Sequence, residues 1–355
     1  MARLALSAFI VSAMASAAAL AQTSVTSAEP CDDDCTAIII FGQATTQSSL
    51  QKSRAVSGIV GKRLAPGSGA PQGTALQYAP SQETDDPAAQ AIRGETVSLA
   101  TNDPAMYWNA WFDGSFVYVD RDHPSAGYDG PMFIASLGVD RKIGDSSVLG
   151  LLVNFEHADF DTGFGVGGRQ ESQGFGIGVY GGSALTEHIV ADAMVIWSHL
   201  DNDVVEFGAP NSFDSNRIQA AANLTGYWYR DAWRFSPTVG ITYSFEDQDS
   251  YGGTPSRTLD SAIAIAGLQV GHTTFLDDVR TIEPWVGVNA EWEFHSTGAS
   301  GVSSVNLDPF DIRLLGGLNA QLSQSVSATL KADIAGLARS DYLTGTFGGQ
   351  ISVGF

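Results

Sequence analysis

The chain has 355 residues, of which 44% are hydrophobic and 16% charged, with 39 glycines, two cysteines and 39 acids against 18 bases, a formal charge of -21. This mixture excludes a disordered polymer, a collagen-like repeat and a disulfide-stapled miniature domain. The excess negative charge repels nucleic acid at long range, so nucleic-acid binding is excluded as a function class.

The N-terminus carries an address. Met1-Ala2-Arg3 precedes an uncharged apolar and small-residue run from Leu4 to Leu20, and Ala19-Leu20-Ala21 fits the small-x-small cleavage rule. Residues 1–21 read as a secretory signal peptide. No later stretch offers about 20 consecutive apolar residues, which excludes a helical membrane protein. Periplasm, outer membrane and exterior remain.

Residues 22–106 hold only Phe41 and Tyr78 as aromatics and are rich in Ser, Thr, Gln, Gly and Pro, too little apolar surface for a large domain. Cys31 and Cys35 are read as a small disulfide loop. Within this segment, residues 45–64 are a candidate helix. Val56, Ile59, Val60 and Leu64 form one apolar stripe, and about 20 residues span about 30 Å, close to a barrel's height. Lys52, Arg54, Lys62 and Arg63 make it basic, and no acid lies between Thr36 and Gln82.

The folded unit is expected over residues 107–355, where all seven tryptophans fall. Here period-two alternation runs for about 10 residues at a time, against about 5 or 6 in ordinary globular strands. Val286, Val288, Ala290, Trp292 and Phe294 share one face opposite Trp285, Gly287, Asn289, Glu291 and Glu293. Short polar turns at Gly144-Asp145-Ser146, Leu185-Thr186-Glu187, Arg230-Asp231-Ala232, Leu276-Asp277-Asp278 and Ser323-Gln324-Ser325 alternate with longer polar stretches. Those stretches lie near 120–130, 161–170, 201–215, 246–260 and 296–309. Twelve strand cores result, and the short-turn, long-loop asymmetry is that of an antiparallel transmembrane β-barrel. Closure satisfies every backbone N–H and C=O that lipid cannot. Trp108, Trp228, Tyr243, Trp292, Phe294 and Phe355 stand toward strand ends as an interfacial girdle.

The chain ends in alternation, with Phe347, Ile351, Val353 and terminal Phe355 on one face. With the Gly-rich amphipathic strands, the run Gly174-Phe175-Gly176-Ile177-Gly178-Val179-Tyr180-Gly181 and this last strand, residues 107–355 resemble the autotransporter translocator domain of type V secretion. The resemblance implies a 12-stranded outer-membrane barrel crossed by a helix joined to an exported N-terminal passenger. It also implies a terminal strand presented to the barrel assembly machinery. Only about 20 residues separate the cleavage site from the candidate helix, so the expected passenger is very short or absent. The candidate lumen wall offers Asp113, Glu246, Glu291, Glu293, Asp311 and Asp333 beside Arg217, Arg313 and Lys331, an acidic setting for a basic rod.

No metal spacing, nucleophile elbow or phosphate loop occurs, so no catalytic residue and no cofactor is expected. The acidic stretches, among them Asp159 and Asp161, Asp201, Asp203 and Glu206, and Glu246, Asp247 and Asp249, suit divalent cations shared with lipopolysaccharide phosphates. Outer-membrane lipid and lipopolysaccharide are the expected surroundings of a monomeric barrel. The alternative is a porin-like channel for small solutes, conducting once the N-terminal segment is displaced.

Overall fold

The computed structural model describes residues 35–65, 108–122, 127–162, 168–206, 208–296 and 309–355. The expected signal peptide and Cys31 lie outside the described residues. One helix, α1 (Cys35–Leu64), precedes fourteen strand segments: β1 (Trp108–Arg121), β2 (Tyr128–Ile143), β3 (Ser147–Thr162), β4 (Gly168–Ala184), β5 (Ile189–Glu206), β6 (Ala209–Gly226), β7 (Trp228–Arg230), β8 (Trp233–Gln248), β9 (Arg257–His272), β10 (Thr274–Phe275), β11 (Thr281–Ser296), β12 (Phe310–Gln321), β13 (Val326–Ala335) and β14 (Tyr342–Gly354). Each neighbour pairs antiparallel, and β14 closes on β1, with Phe347 opposite Phe116 and Ile351 opposite Phe112. β7 resumes β6 in the same register along β8, and β10 resumes β9 along β11. The result is a closed barrel of twelve staves.

Alternation decides which side of each strand meets lipid. On β3, Leu151 is 61% exposed and Leu152 only 4%, and Leu149, Val153 and Phe155 share the outward side with Leu151. The oily sides therefore face away from one another, as a barrel in hydrocarbon requires and a two-layer soluble sandwich forbids. Tyr243 departs from the expected girdle. It is buried on the outer side, packed with Ala262 and Phe245 rather than projecting to an interface.

The strands run further than their hydrophobic pattern. β5 and β6 meet across residues 207–208, where a loop from 201 to 215 was expected, and β8 and β9 absorb both ends of the 246–260 stretch. Alternation of oily and wet residues marks only the part of a strand that touches lipid. Above that band the outer face carries the exposed Asp201, Asp203 and Asp214, while the inner face stays buried at Asn202, Val204 and Phe213 and the hydrogen-bond ladder continues. A bulge between Glu293 and His295 in β11 shifts the register there and pairs His295 with Ala262.

Helix α1 is also longer than its sequence signal, 30 residues in place of 20, or about 45 Å. Ser, Thr, Gly58 and Gly61 are weak helix formers, yet inside a barrel the backbone must satisfy its own hydrogen bonds, and the wall supplies contacts that override propensity. Its residues from Thr45 to Ser53 are all buried in the lumen. Its C-terminal end lies toward the short-turn rim, where Arg63 meets Asp140 of β2.

Candidate functional site

The lumen is occupied by α1, which the wall holds in three ways. The first is apolar. Val56, Ile59, Val60 and Leu64 pack against Trp111, Val148, Leu152, Tyr180, Val190, Met194, Ile196 and Ala221, all inward residues of β1 and β3 to β6. Each such side chain, fully buried, contributes roughly 1.5–3 kcal/mol.

The second is a chain of alternating charge at the long-loop end. Thr45 Oγ1 donates to Glu246 at 2.8 Å, and Arg217 bridges Glu246 and Glu156 at 2.8 and 2.9 Å. Glu156 in turn accepts from Ser48 at 2.6 Å and pairs with Lys52 at 3.4 Å. Lys52 completes its shell on Gln219 Oε1 at 2.8 Å, while Gln219 Nε2 donates to Ser49 Oγ at 2.8 Å. Every charge in this group thus has an opposite neighbour, the condition under which ions persist away from water.

The third holds the opposite flank. Arg54 donates to Glu291 at 2.6 Å and stands 3.7 Å from Asp333. Arg313, fully buried, donates to Glu291 at 2.8 Å, to Asp333, and to Gln47 Oε1 at 3.1 Å. Gln47 Nε2 reaches the Tyr342 hydroxyl at 2.9 Å. Nearer the short-turn rim, Ser57 donates to Asp192 at 2.9 Å, Lys62 to Gln350 Oε1 at 3.2 Å, and Arg63 pairs with Asp140 at 3.1 Å. Asp140 is itself positioned by Asn109 and by the Tyr180 hydroxyl, each at 2.9 Å.

The structure brings Glu291, Arg313 and Asp333 onto the helix directly. Lys331 and Asp113 form a wall pair at 2.8 Å. Glu293 reaches the helix only through Ser261, which donates to it at 2.9 Å and accepts from Thr46 at 3.4 Å. Asp311 does not address the helix. Its carboxylate accepts the Gly336 N–H at 2.9 and 3.0 Å and fixes the left-handed turn there, where Gly336 has φ 92°. Glu246, which the sequence placed both on the lumen wall and among the outer acids, points into the lumen. The candidate pairing of Cys31 with Cys35 falls outside the described residues at Cys31.

Sequence reasoning missed Glu156, Asp140, Asp192, Gln219 and Gln350. Parity was enough for Glu156, since Leu149, Leu151, Val153 and Phe155 fix the outward side of β3. Asp192 had no such signal. On β5 the inward Val190, Met194 and Ile196 are apolar because they seat the helix, while the outward Ala191 and Ala193 are small. On the outer side of the long-loop end, His199, Asp201 and Asp214 bring one ligand atom each within 4.8 Å of one another.

The terminal signature is the closing stave. Phe347, Ile351 and Val353 face outward on β14, and Phe355 exchanges backbone bonds with Trp108 at 2.9 and 3.0 Å.

A closed twelve-stave barrel with a lipid-type exterior and a helix fixed along its lumen defines a helix-plugged outer-membrane β-barrel. The autotransporter beta-domain family model matches residues 110–333, more than half of the chain, and the chain belongs to that family. The fold is similar to the beta domain of the Bordetella autotransporter BrkA, with TM-score 0.59 and 13% identity over 70% of this chain and 100% of that one. It is similar also to the translocator domain of the autotransporter NalP from Neisseria meningitidis, with TM-score 0.58 and 12% identity over 90% of this chain and 99% of that one. The transport unit of the autotransporter AIDA-I from Escherichia coli gives TM-score 0.56 and 12% identity over 73% and 93%. No curated protein sequence matches the chain. The chain is an autotransporter translocator barrel.

Proposed function

We propose that this translocator works as a self-plugged membrane scaffold: α1 stays in the lumen and directs the chain N-terminal to it out of the long-loop rim. The short turns then face the periplasm and the longer rim the cell exterior, as in single-chain outer-membrane barrels. A cleaved signal peptide over residues 1–21 delivers the chain to that membrane. The observation that carries the reading is the match of charge along the rod. Lys52, Arg54 and Arg63 each pair with a wall carboxylate at 3.4 Å or closer, contributed by β3, β11 and β2 respectively. A flexible tail would not place three cations at three heights opposite three carboxylates.

The test is thiol protection. Val56→Cys in the assembled barrel is expected to resist a membrane-impermeant maleimide from either side, while Leu276→Cys in a short turn reacts once the periplasm is opened. Rapid labelling of Val56→Cys in a correctly assembled barrel would show that the lumen is not plugged. An epitope placed ahead of Cys35 should be detected on intact cells, and detection only after permeabilisation would reverse the orientation.

A further inference from the structure

The helix does not fill the lumen evenly. Its apolar stripe leans on β1 and β3 to β6, and on its other flank a cavity of about 470 Å³ extends from the short-turn rim, at Asp145, Asp231 and Gln324, inward to Arg54 and Asp333. Beyond Arg54 the lumen is closed. Thr45 to Ser53 are buried there, Arg313 and Tyr342 both bond Gln47, and Val117 and Phe160 belong to a buried cluster packed against Ala44. The cavity is therefore blind, with a mouth only at the short-turn rim, and its volume falls within the range of about 300–1,000 Å³ that small-molecule sites occupy.

Inward glycines give this space its shape. A Cβ on Gly317 would come within 2.7 Å of the Trp285 ring, one on Gly267 would collide with the Asn289 amide, and one on Gly287 with Gln269. Each of these three side chains thus reaches sideways over a glycine of the neighbouring strand and lies along the wall instead of crossing the cavity that it lines. On the helix side, a Cβ on Gly58 would meet only Gln350 Oε1, at 3.7 Å. The result is an open slot between a bare helix face and a wall that carries one large aromatic ring flanked by two amides. Neither amide makes a side-chain hydrogen bond among the described residues, and Trp285 Nε1 has no acceptor.

The charges inside the rim are paired with one another. Lys331 is held by Asp113 and Arg234 by Glu283, each at 2.8 Å. Arg54 lies between Glu291 and Asp333, and Lys62 donates to Gln350 Oε1 at 3.2 Å while being attracted by the Asp113 carboxylate. What is left to recognise a ligand is neutral: amide donors and acceptors beside an indole. A sugar ring has the complementary make-up, a C–H face that packs on an aromatic surface and a rim of hydroxyls that both donate and accept.

We propose that this blind cavity is a binding site for a neutral mono- or disaccharide, with Trp285 as its stacking platform and Gln269 and Asn289 as its hydrogen-bonding partners. The site rests on the plugged-barrel reading, because the seated helix supplies one of its walls.

The experiment is calorimetric titration of the full chain, in a detergent without a sugar headgroup, with N,N′-diacetylchitobiose and with maltose. Saturable binding of at least one is expected; preference for the first identifies cell-wall glycan as the source of the sugar, and preference for the second a free saccharide. Trp285→Ala and Asn289→Leu should each weaken binding by about tenfold or more. Gly58→Phe, which puts a ring into the slot without altering the wall, should abolish it, and it decides the matter even if Trp285→Ala does not assemble. Glucose should compete, whereas glucuronate, the same ring with a charge, should not. As a separate readout, saturating disaccharide should slow the reaction of Gly58→Cys with an impermeant maleimide applied from the short-turn side. Absence of saturable binding to both disaccharides, undiminished binding by Gly58→Phe, or equal competition by glucuronate overturns the proposal. Val56→Cys separates the two readings. If it is protected and no sugar binds, the saccharide site falls alone; if it is labelled rapidly, the plugged barrel itself falls.

Discussion

Strands β1 to β6 and strands β8 to β14 present inward faces of different character to the same helix. The first wall offers Trp111, Leu152, Tyr180, Met194 and Ile196, and the helix answers with its valines and isoleucine. The second wall offers Asn289, Asn319, Gln269 and Thr329, and beside it the helix carries serine and glycine. Both walls have the same outward alternation, because lipid makes the same demand of each. The inward side is free of that demand, so it can be specialised strand by strand, one half to seat the plug and the other to keep water beside it.

The largest effect should come from the point where the second wall grips the helix by charge. Arg313→Ala strands Glu291 and Asp333 beside Arg54 alone, and loss of one member of a buried ionic group costs about 3–5 kcal/mol. Urea unfolding of the barrel in detergent, followed by tryptophan fluorescence, should show that loss, whereas Arg54→Ser should shift the transition much less because Arg313 remains. Equal shifts for the two would mean that the second wall has no anchor of its own.

On the first wall the grip is apolar. Ile59 is completely buried, and Ile59→Ala should weaken helix seating by about 2 kcal/mol, which is roughly a 30-fold rise in the labelling rate of Val56→Cys when opening limits the reaction. A rise no greater than that for a substitution facing the cavity would erase the distinction between the walls.

How much of this was legible in the sequence follows from the same division. Where lipid imposes alternation, the strands and their closure through Phe347 to Phe355 are readable, as is the inward placement of Glu291, Arg313 and Asp333. The extensions of β5 and β6 are not, since their outer face meets water and Asp201, Asp203 and Asp214 look like loop residues, although Asn202, Val204 and Phe213 are buried behind them. Nor is the extent of α1, whose stretch from Cys35 to Ala44 precedes the candidate helix, because the run Ile38-Ile39-Ile40-Phe41 is β-branched and aromatic and has no helical period of its own. Asp192 hides among apolar neighbours whose only reason to point inward is the helix, a partner distant in sequence.

Two glycines three residues apart on α1 sharpen the contrast. Gly58 borders open space, so Gly58→Ala should stabilise the helix by about 0.5–1 kcal/mol and slow the labelling of Val56→Cys. Gly61 lies under the Tyr227 hydroxyl, which an added methyl would displace, so Gly61→Ala should hasten it. Effects of the same sign at both positions would contradict the uneven fit.

The smallest effect concerns two short turns, one on each wall. In the turn after β4, Thr186 Oγ1 accepts the N–H groups of His188 and Ile189 at 3.2 and 3.0 Å. In the turn after β10, Asp277 Oδ1 accepts those of Val279 and Arg280 at 3.0 and 2.7 Å. The geometry is shared, but only the aspartate titrates. Backbone donation from Arg280 and Val279, helped by the Arg280 guanidinium, holds the exposed Asp277 carboxyl below its ordinary value. A depressed carboxyl stabilises the folded turn above the unfolded value, about 3.9, and loses that contribution as the pH falls through the folded one. Hydrogen-exchange protection of the Val279 and Arg280 amides should therefore fall relative to the His188 and Ile189 amides once the pH drops below about 4. Asp277→Thr should abolish the difference, because a hydroxyl in the same position accepts the same two bonds at any pH; a pH response that survives this substitution would place its origin elsewhere on the second wall.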